Sequence, residues 1–485
     1  MAGIERVLRR FAEGEAAHRE ALARLCAIPS VTAEAQADPG PRRRAAEFLA
    51  DRAREAGLDA RLVEVEGAPP YVAAERLGLP GAPTVLLYGH YDVMPPGRPE
   101  VWRGSPWELR REGDRLFGRG AADNKGGCLL GLAVLEAWIS AAGGLPVNVR
   151  VLLEGEEESG SPHFPDFLRD HGESAAADVA LILDGGNFES GLPTILCSTR
   201  GACLVEVACE GPGAPAHGGM WGGALPDPAL ALSGLLASLV DERGRIAVSG
   251  FYDRVREASA GERAEIARID DRAFLAEARL AEGASPWGEE GFSSLERAWT
   301  RPSLVVYVLE GRDLARQTAA YMERARARID LRTVPDMDAR EAGEAVVRHI
   351  LSRPNRGAKV SAKVLLHLPG WRIDPDDPAV RAASRALAAG YGREAVRIGT
   401  GGSIGILAPL IARHPGLRCV ILGVEDPGSA IHGENESLSL EEWRKMGASL
   451  IRMLGEFGPG PDIAHARAIS SASTSRERNR TSREP

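Results

Sequence analysis

Apolar residues recur along the chain with two different periods, and the changes of period mark its organisation. Near the N-terminus Ile4, Val7, Leu8, Phe11, Leu22 and Leu25 stand at helical spacing with charges between them, which predicts an amphipathic surface helix. A second helix is predicted over 42–56, followed by short strands over 60–65 and 71–74. Short apolar runs bounded by turn residues follow at 84–88, 147–153 and 179–183, with a long helical stretch at 125–142 between the first two. Strands that alternate with helices and read as nearly continuous apolar runs predict an α/β layer with a buried sheet. The same texture returns late in the chain, with helices at 378–389 and 440–454 and a strand at 418–422.

The middle of the chain has another rhythm. Residues 201–210 alternate as a strand, 228–239 read as a helix, 304–309 and 325–331 as strands, 339–351 as a helix and 360–366 as a strand. Strand–helix–strand–strand–helix–strand is the order of an α+β two-layer sandwich. The predicted architecture is therefore an α/β catalytic domain, a mixed sheet flanked by helices, built from 1–198 and 371–460. An α+β two-layer lid or dimerisation domain, 199–370, is inserted into it. A disordered tail is predicted over 461–485, because from Ser470 onward the chain is Ser/Arg-rich with almost nothing apolar.

Composition adds exclusions. The net charge of −9 across 485 residues has nothing of the basic footprint of a nucleic-acid binder. No uninterrupted apolar run is long enough to span a bilayer, and Glu5, Glu13 and Glu15 argue against a transit peptide. The six cysteines form no C-x-x-C pair and mostly sit in apolar surroundings, so reduced buried thiols in a cytoplasmic protein are expected.

Chemistry gathers where apolar strands end. LLYGHYDV places His90 and Asp92 just past the run at 84–88. GRGAADNKGG brackets Asp123 with glycines before a helix, and its spacing is not that of a phosphate-binding loop. Asp123 there could equally cap the helix or ligate a cation. EGEEESGS crowds Glu154, Glu156, Glu157 and Glu158 at a strand end, where they repel one another unless a cation lies among them. LILDGG ends in Asp184, and IHGENE carries His432, Asn435 and Glu436. In open α/β sheets ligands collect outside the carboxyl ends of the strands. Carboxylates and imidazoles without thiolates suit a hydrolytic zinc or manganese pair.

These segments, in this order, resemble the di-metal aminoacylase/carboxypeptidase G family, and within it the carnosinase-like dipeptidases. The resemblance runs from about residue 10 to 460 and includes WELRREGDRLFGRGAADNKGG, HGGMWGGALPDP, GFYD at 250–253 and ERAWTRPSL at 296–304. It implies that His90 and Asp184 hold one metal, Glu158 and His432 the other, and that Asp123 bridges both beside a cis peptide before Asn124. Asp92 would orient His90, and Glu157 would be the general base for a hydroxide held between the metals. It further implies that His217 reaches the active site of a neighbouring subunit in a homodimer, that Arg332 binds the substrate's terminal carboxylate, and that Gly402 and Ser403 contact the substrate backbone. The implied reaction is hydrolysis of the amide bond of dipeptides or short peptides with a free C-terminal carboxylate. N-acyl-amino-acid deacylation or desuccinylation is the alternative. The implied cofactors are two divalent ions, zinc first, manganese or cobalt otherwise. Departures from the family pattern (Asn124, Val305, Ala320, Tyr321, Gly399, Thr400 and Gly405) fall mainly on the substrate side.

Overall fold

The computed structural model describes residues 2–32, 40–277, 280–311 and 320–458. Two units divide the chain. The first comprises 1–197, 373–397 and 404–485, and the second 198–372 and 398–403. The short segment 398–403 thus belongs with the insert, whereas the sequence placed it in the catalytic part. The tail predicted over 461–485 lies outside the described residues.

In the first unit the strand order runs Asp59–Val63, Tyr71–Arg76, Asn148–Glu154, Thr84–His90, Val179–Ile182, Arg418–Ile421 and Thr194–Thr199. Asn148–Glu154, Thr84–His90, Val179–Ile182 and Arg418–Ile421 are mutually parallel. Tyr71–Arg76 and Thr194–Thr199 pair antiparallel with the outer members of this group, and Asp59–Val63 pairs antiparallel with Tyr71–Arg76. Val85, Leu87, Val149, Val151, Leu153, Val179 and Leu181 face one helix-covered core. The intervening Leu86, Tyr88, Leu152, Ala180 and Ile182 are buried as well. Both faces of the sheet are therefore covered, which is why its strands read as unbroken apolar runs.

Parallel strands all release their carboxyl ends on one edge. Thr84–His90 ends at His90, opposite Glu154 in register. Val179–Ile182 leads to Asp184, and Arg418–Ile421 to the loop that carries Glu425 and His432. Helix Lys125–Ala142 begins two residues past Asp123. Its first turn packs so tightly that a Cβ on Gly126 would lie 2.2 Å from the Ala121 carbonyl oxygen, and one on Gly127 2.6 Å from that of Leu183. Lys125 Nζ donates to the carbonyls of Leu25 and Ile28 at 3.1 and 2.7 Å, which ties this helix start to the N-terminal helices. Among the described residues this helix alone is long and apolar enough to cross a membrane, with a mean hydropathy of 1.3, yet 72% of it is buried inside the protein. It is a core helix.

The N-terminal helix is two, Ala2–Glu13 and Glu15–Cys26, meeting at Gly14. Glycine weakens a helix interior by about 1 kcal/mol relative to alanine. Val7, Phe11, Leu22 and Leu25 are buried in the core, so this segment is more than a surface helix.

The second unit holds an antiparallel sheet in the order Ser303–Glu310, Arg324–Thr333, Gly201–Glu210 and Lys359–Leu368. Helices Pro228–Ala237 and Ala339–Ser352 cover one face through a core that includes Val205, Val207, Leu232, Leu235, Ile329, Leu331 and Val346. This is an α/β catalytic fold with an inserted α+β layer. Helices Ala260–Ile266 and Ser294–Trp299 were not anticipated. Each opens on a capping box, Ser259 with Glu262 and Ser293 with Glu296. That S-x-x-E spacing was readable in the sequence.

Candidate metal centre

The strand-end residues converge in the first unit. His90 Nε2 lies 3.0 Å from Asp123 Oδ1 and 3.2 Å from Asp184 Oδ1. His432 Nε2 lies 3.0 Å from Asp123 Oδ2 and 3.1 Å from Glu158 Oε2. The two oxygens of Asp123 thus face different donor sets. Among the described residues three clusters could hold a cation: His90, Glu157 and Asp184; Asp123, Glu158 and His432; and Asp123, Asp184 and Glu425, each with donors within 4.8 Å of one another. Two ligands on a tetrahedral zinc with bonds of about 2.0 Å stand roughly 3.3 Å apart, close to the separations found here. Glu158 Oε1 is buried without a hydrogen-bond partner, beside an Oε2 that faces His432. Donor types, spacing and this orphaned oxygen fit divalent cations.

The electrostatics follow from crowding. Burial opposes charge on His90, but Asp184 and Asp123 outweigh it and hold its imidazole well above the ordinary range. Hydrogen bonds to Asp123 and Glu158 raise His432 to about 10. Burial raises the Asp123 carboxyl, but hydrogen bonds from His432 and His90 outweigh it and hold it low. Desolvation, with the charge of Asp184, pushes Glu157 well up, and desolvation raises Glu158. Only neutral imidazole ligates, so a divalent ion competes for the place that the proton takes on these rings.

Neighbouring groups fix the donors. The carboxylate of Asp92 accepts the main-chain N–H groups of Glu157 and Glu158 at 3.2 and 3.1 Å. His90 Nδ1 has the Asp92 main-chain carbonyl as its nearer partner at 3.0 Å, with the carboxylate at 3.4 Å. Asp92 therefore orients the ring chiefly through its backbone, and its side chain serves the acidic turn. The peptide between Asp123 and Asn124 is cis. Asn124 donates its amide to the Leu183 carbonyl and accepts from the His90 N–H at 3.4 Å.

The glutamate run separates by direction. Glu154 turns inward to Tyr88 and Ser161, and burial pushes its carboxyl up to about 8. Glu156 accepts from Tyr71 at 3.0 Å and from the His163 N–H at 2.9 Å. Glu157 and Glu158 remain for the cluster. Glu425 was missed by the sequence reading. It belongs to the third cluster, and burial together with Asp123 and Asp184 pushes its carboxyl well up. The only signal was its place after an apolar strand.

A family model described as peptidase family M20/M25/M40 matches residues 86–456. This chain belongs to that family. The M20 chain is 32% identical over 418 residues to a cysteinylglycine-S-conjugate dipeptidase of Corynebacterium striatum, covering 85% of this chain and 90% of the relative. It is 31% identical over 383 residues to the human Beta-Ala-His dipeptidase, covering 76% and 74%. Its fold matches the M20 family metallo-carboxypeptidase Sso-CP2 of Sulfolobus solfataricus with a TM-score of 0.80 at 25% identity, covering 91% of this chain and 99% of that one. The protein is thereby a hydrolase of the metallopeptidase class.

The four residues expected on the substrate side of this M20 peptidase lie in its second unit. Arg332 Nη1 donates to Ser403 Oγ at 3.2 Å, and Ser403 Oγ donates to the Arg200 carbonyl at 2.6 Å. Gly402 accepts the Arg200 N–H through its carbonyl at 3.0 Å. His217 caps the short helix Gly218–Trp221, its Nδ1 accepting from Gly219 and Met220 at 3.1 and 3.3 Å. Its proton therefore sits on Nε2, which is left as a donor. Among the departures, Val305 is half-exposed on strand Ser303–Glu310, and Thr400 Oγ1 accepts the Gly402 N–H at 3.3 Å.

Proposed function

We propose that this chain hydrolyses the amide bond of dipeptides or short peptides that carry a free C-terminal carboxylate. The observation that carries this reading is Asp123, whose two oxygens face His90 and His432 at 3.0 Å each, the arrangement of a carboxylate shared by two cations. The two relatives above, both named dipeptidases, supply the substrate class. His90 and Asp184 would hold one ion, Glu158 and His432 the other, with Asp123 between them. Zinc is the first choice of ion, with manganese or cobalt as alternatives, because the donors are oxygens and imidazoles without thiolate. When bound, such ions stabilise the negative charge that develops on the scissile carbonyl oxygen and ease the ionisation of water.

The chain's own residues do the rest. Glu157, desolvated and pushed well above the ordinary carboxylate range, takes a proton from the attacking water and returns it to the departing amine. Asp92 holds the turn that carries Glu157 by accepting its N–H. Arg332, with Ser403 beside it, binds the substrate carboxylate, and Gly402 and Ser403 meet its backbone. His217 acts from one protomer on the substrate of the other in a homodimer, through its Nε2–H. Strand Ser303–Glu310 at the sheet edge exposes Val305, Tyr307 and Leu309, which suits pairing with a second copy.

A panel of dipeptides assayed beside N-acetyl and N-succinyl amino acids, with the metal content of the purified chain, tests the reading. Dipeptide turnover at least tenfold above the acyl substrates is the expected outcome. Preference for the acyl substrates would make the chain a deacylase instead.

A further inference from the structure

We propose that Glu436 and Arg119 form a positioning pair that sets the separation of the Asp123 and His432 donors. This rests on the metal-centre reading given above. Glu436 stands four residues beyond His432, and its side chain and that of Arg119 are 0% and 1% exposed. Glu436 Oε2 accepts Arg119 Nη1 at 2.7 Å and the Gly120 N–H at 3.0 Å. Its Oε1 accepts the N–H groups of Ala122 at 2.9 Å and Asp123 at 3.0 Å. Its carbonyl accepts the Gly118 N–H at 3.0 Å. The whole carboxylate is thus engaged by the segment that ends in Asp123.

Arg119 closes the arrangement from the other side. Its Nη2 donates to the carbonyl of Gly433, next to His432, at 2.9 Å and to that of Pro95 at 3.0 Å. The loop after His90 and Asp92, the loop into Asp123 and the loop bearing His432 therefore meet at one buried ion pair. A desolvated carboxylate with four donors, one of them a guanidinium, is a stiff clamp. His432 depends on such support, because its backbone is left-handed at φ 60° and its side chain is 51% exposed. Neither Glu436 nor Arg119 supplies a donor to the three clusters. They act through Asp123 and His432.

The test titrates the chelator-stripped chain with Zn²⁺ by calorimetry for wild type, Glu436→Gln and Arg119→Lys, with circular dichroism and thermal midpoint recorded for each. Glu436→Gln turns an amide N–H₂ toward a donor, and Arg119→Lys keeps the cation but replaces the forked guanidinium, which serves Glu436 and two carbonyls through separate nitrogens, by a single ammonium. The expected result is two sites in wild type, and in the folded variants a roughly ten- to hundredfold weaker affinity at one of them. Turnover should then recover toward wild type at saturating Zn²⁺, a rescue that general structural damage would not allow. Should Glu436→Gln not fold, Arg119→Lys decides alone. A folded variant that binds both ions with wild-type affinity overturns the proposal, and a wild type that binds none overturns the metal reading beneath it.

Discussion

Asp92 Oδ2 accepts the main-chain N–H of Glu158 at 3.1 Å, while Oδ1 takes that of Glu157 at 3.2 Å. One carboxylate therefore holds both the proposed ligand and the proposed base by their backbones. Asp92→Asn keeps the shape but presents an N–H₂ to one of these donors. We expect turnover to fall about 10- to 100-fold, the usual effect of losing a supporting partner at a metal site. Metal content by mass spectrometry and kcat measured together check this, and unchanged kcat would remove the side chain from the mechanism.

Glu157→Gln separates proton transfer from metal binding. Its side chain lies near His90 and Asp184, yet its proposed task is to carry a proton. General acid–base catalysis contributes about 10²–10⁴-fold, so kcat should drop by that range while two ions per chain remain. Loss of an ion in this variant would make Glu157 a ligand.

Chelation should destabilise the first unit as well as silence it. Asp123, Glu158 and Asp184 crowd one site, and a cation relieves their repulsion. Binding at a hundredfold excess over Kd stabilises a fold by about 2.7 kcal/mol. A domain of this size then loses roughly 5–10 °C in its unfolding midpoint when metal is stripped. Calorimetric scans with and without chelator, followed by Zn²⁺, Mn²⁺ or Co²⁺ restoration, give the answer, and an unmoved midpoint would contradict it.

The exposed edge strand offers a test of assembly. Val305→Lys combined with Leu309→Lys places two charges on Ser303–Glu310, a device that blocks strand pairing. Sedimentation should show a monomer, and activity should fall with it if His217 has its proposed role on the other protomer. A fully active monomer would defeat the role assigned to His217.

Much of this molecule was legible along the chain. Apolar runs at strand period and apolar stripes at helical period depend only on local sequence, so the elements appear close to where the pattern put them. Helix Lys125–Ala142 and strand Gly201–Glu210 coincide with their predicted bounds. The break at Gly14 and the capped helices of the insert were also local signals, readable but passed over. The acidic run shows the limit. Glu154, Glu156, Glu157 and Glu158 look alike in sequence, and only the sheet register and the turn after it send the first two to Tyr88 and Tyr71 and leave the last two for the cluster.

The sequence by itself determined which residue types stand at the strand ends, and hence the class of chemistry they permit. The tertiary structure alone decided that Asp123 faces two donor sets, that Glu425 joins the cluster, that 398–403 belongs to the insert, and that Glu436 clamps the loop into Asp123. The physical reason is distance along the chain. Arg119 and Glu436 are 317 residues apart and meet only because parallel strands open onto one edge of the sheet. The direction that the fold gives each side chain there, rather than residue identity, decides which carboxyls face the cluster.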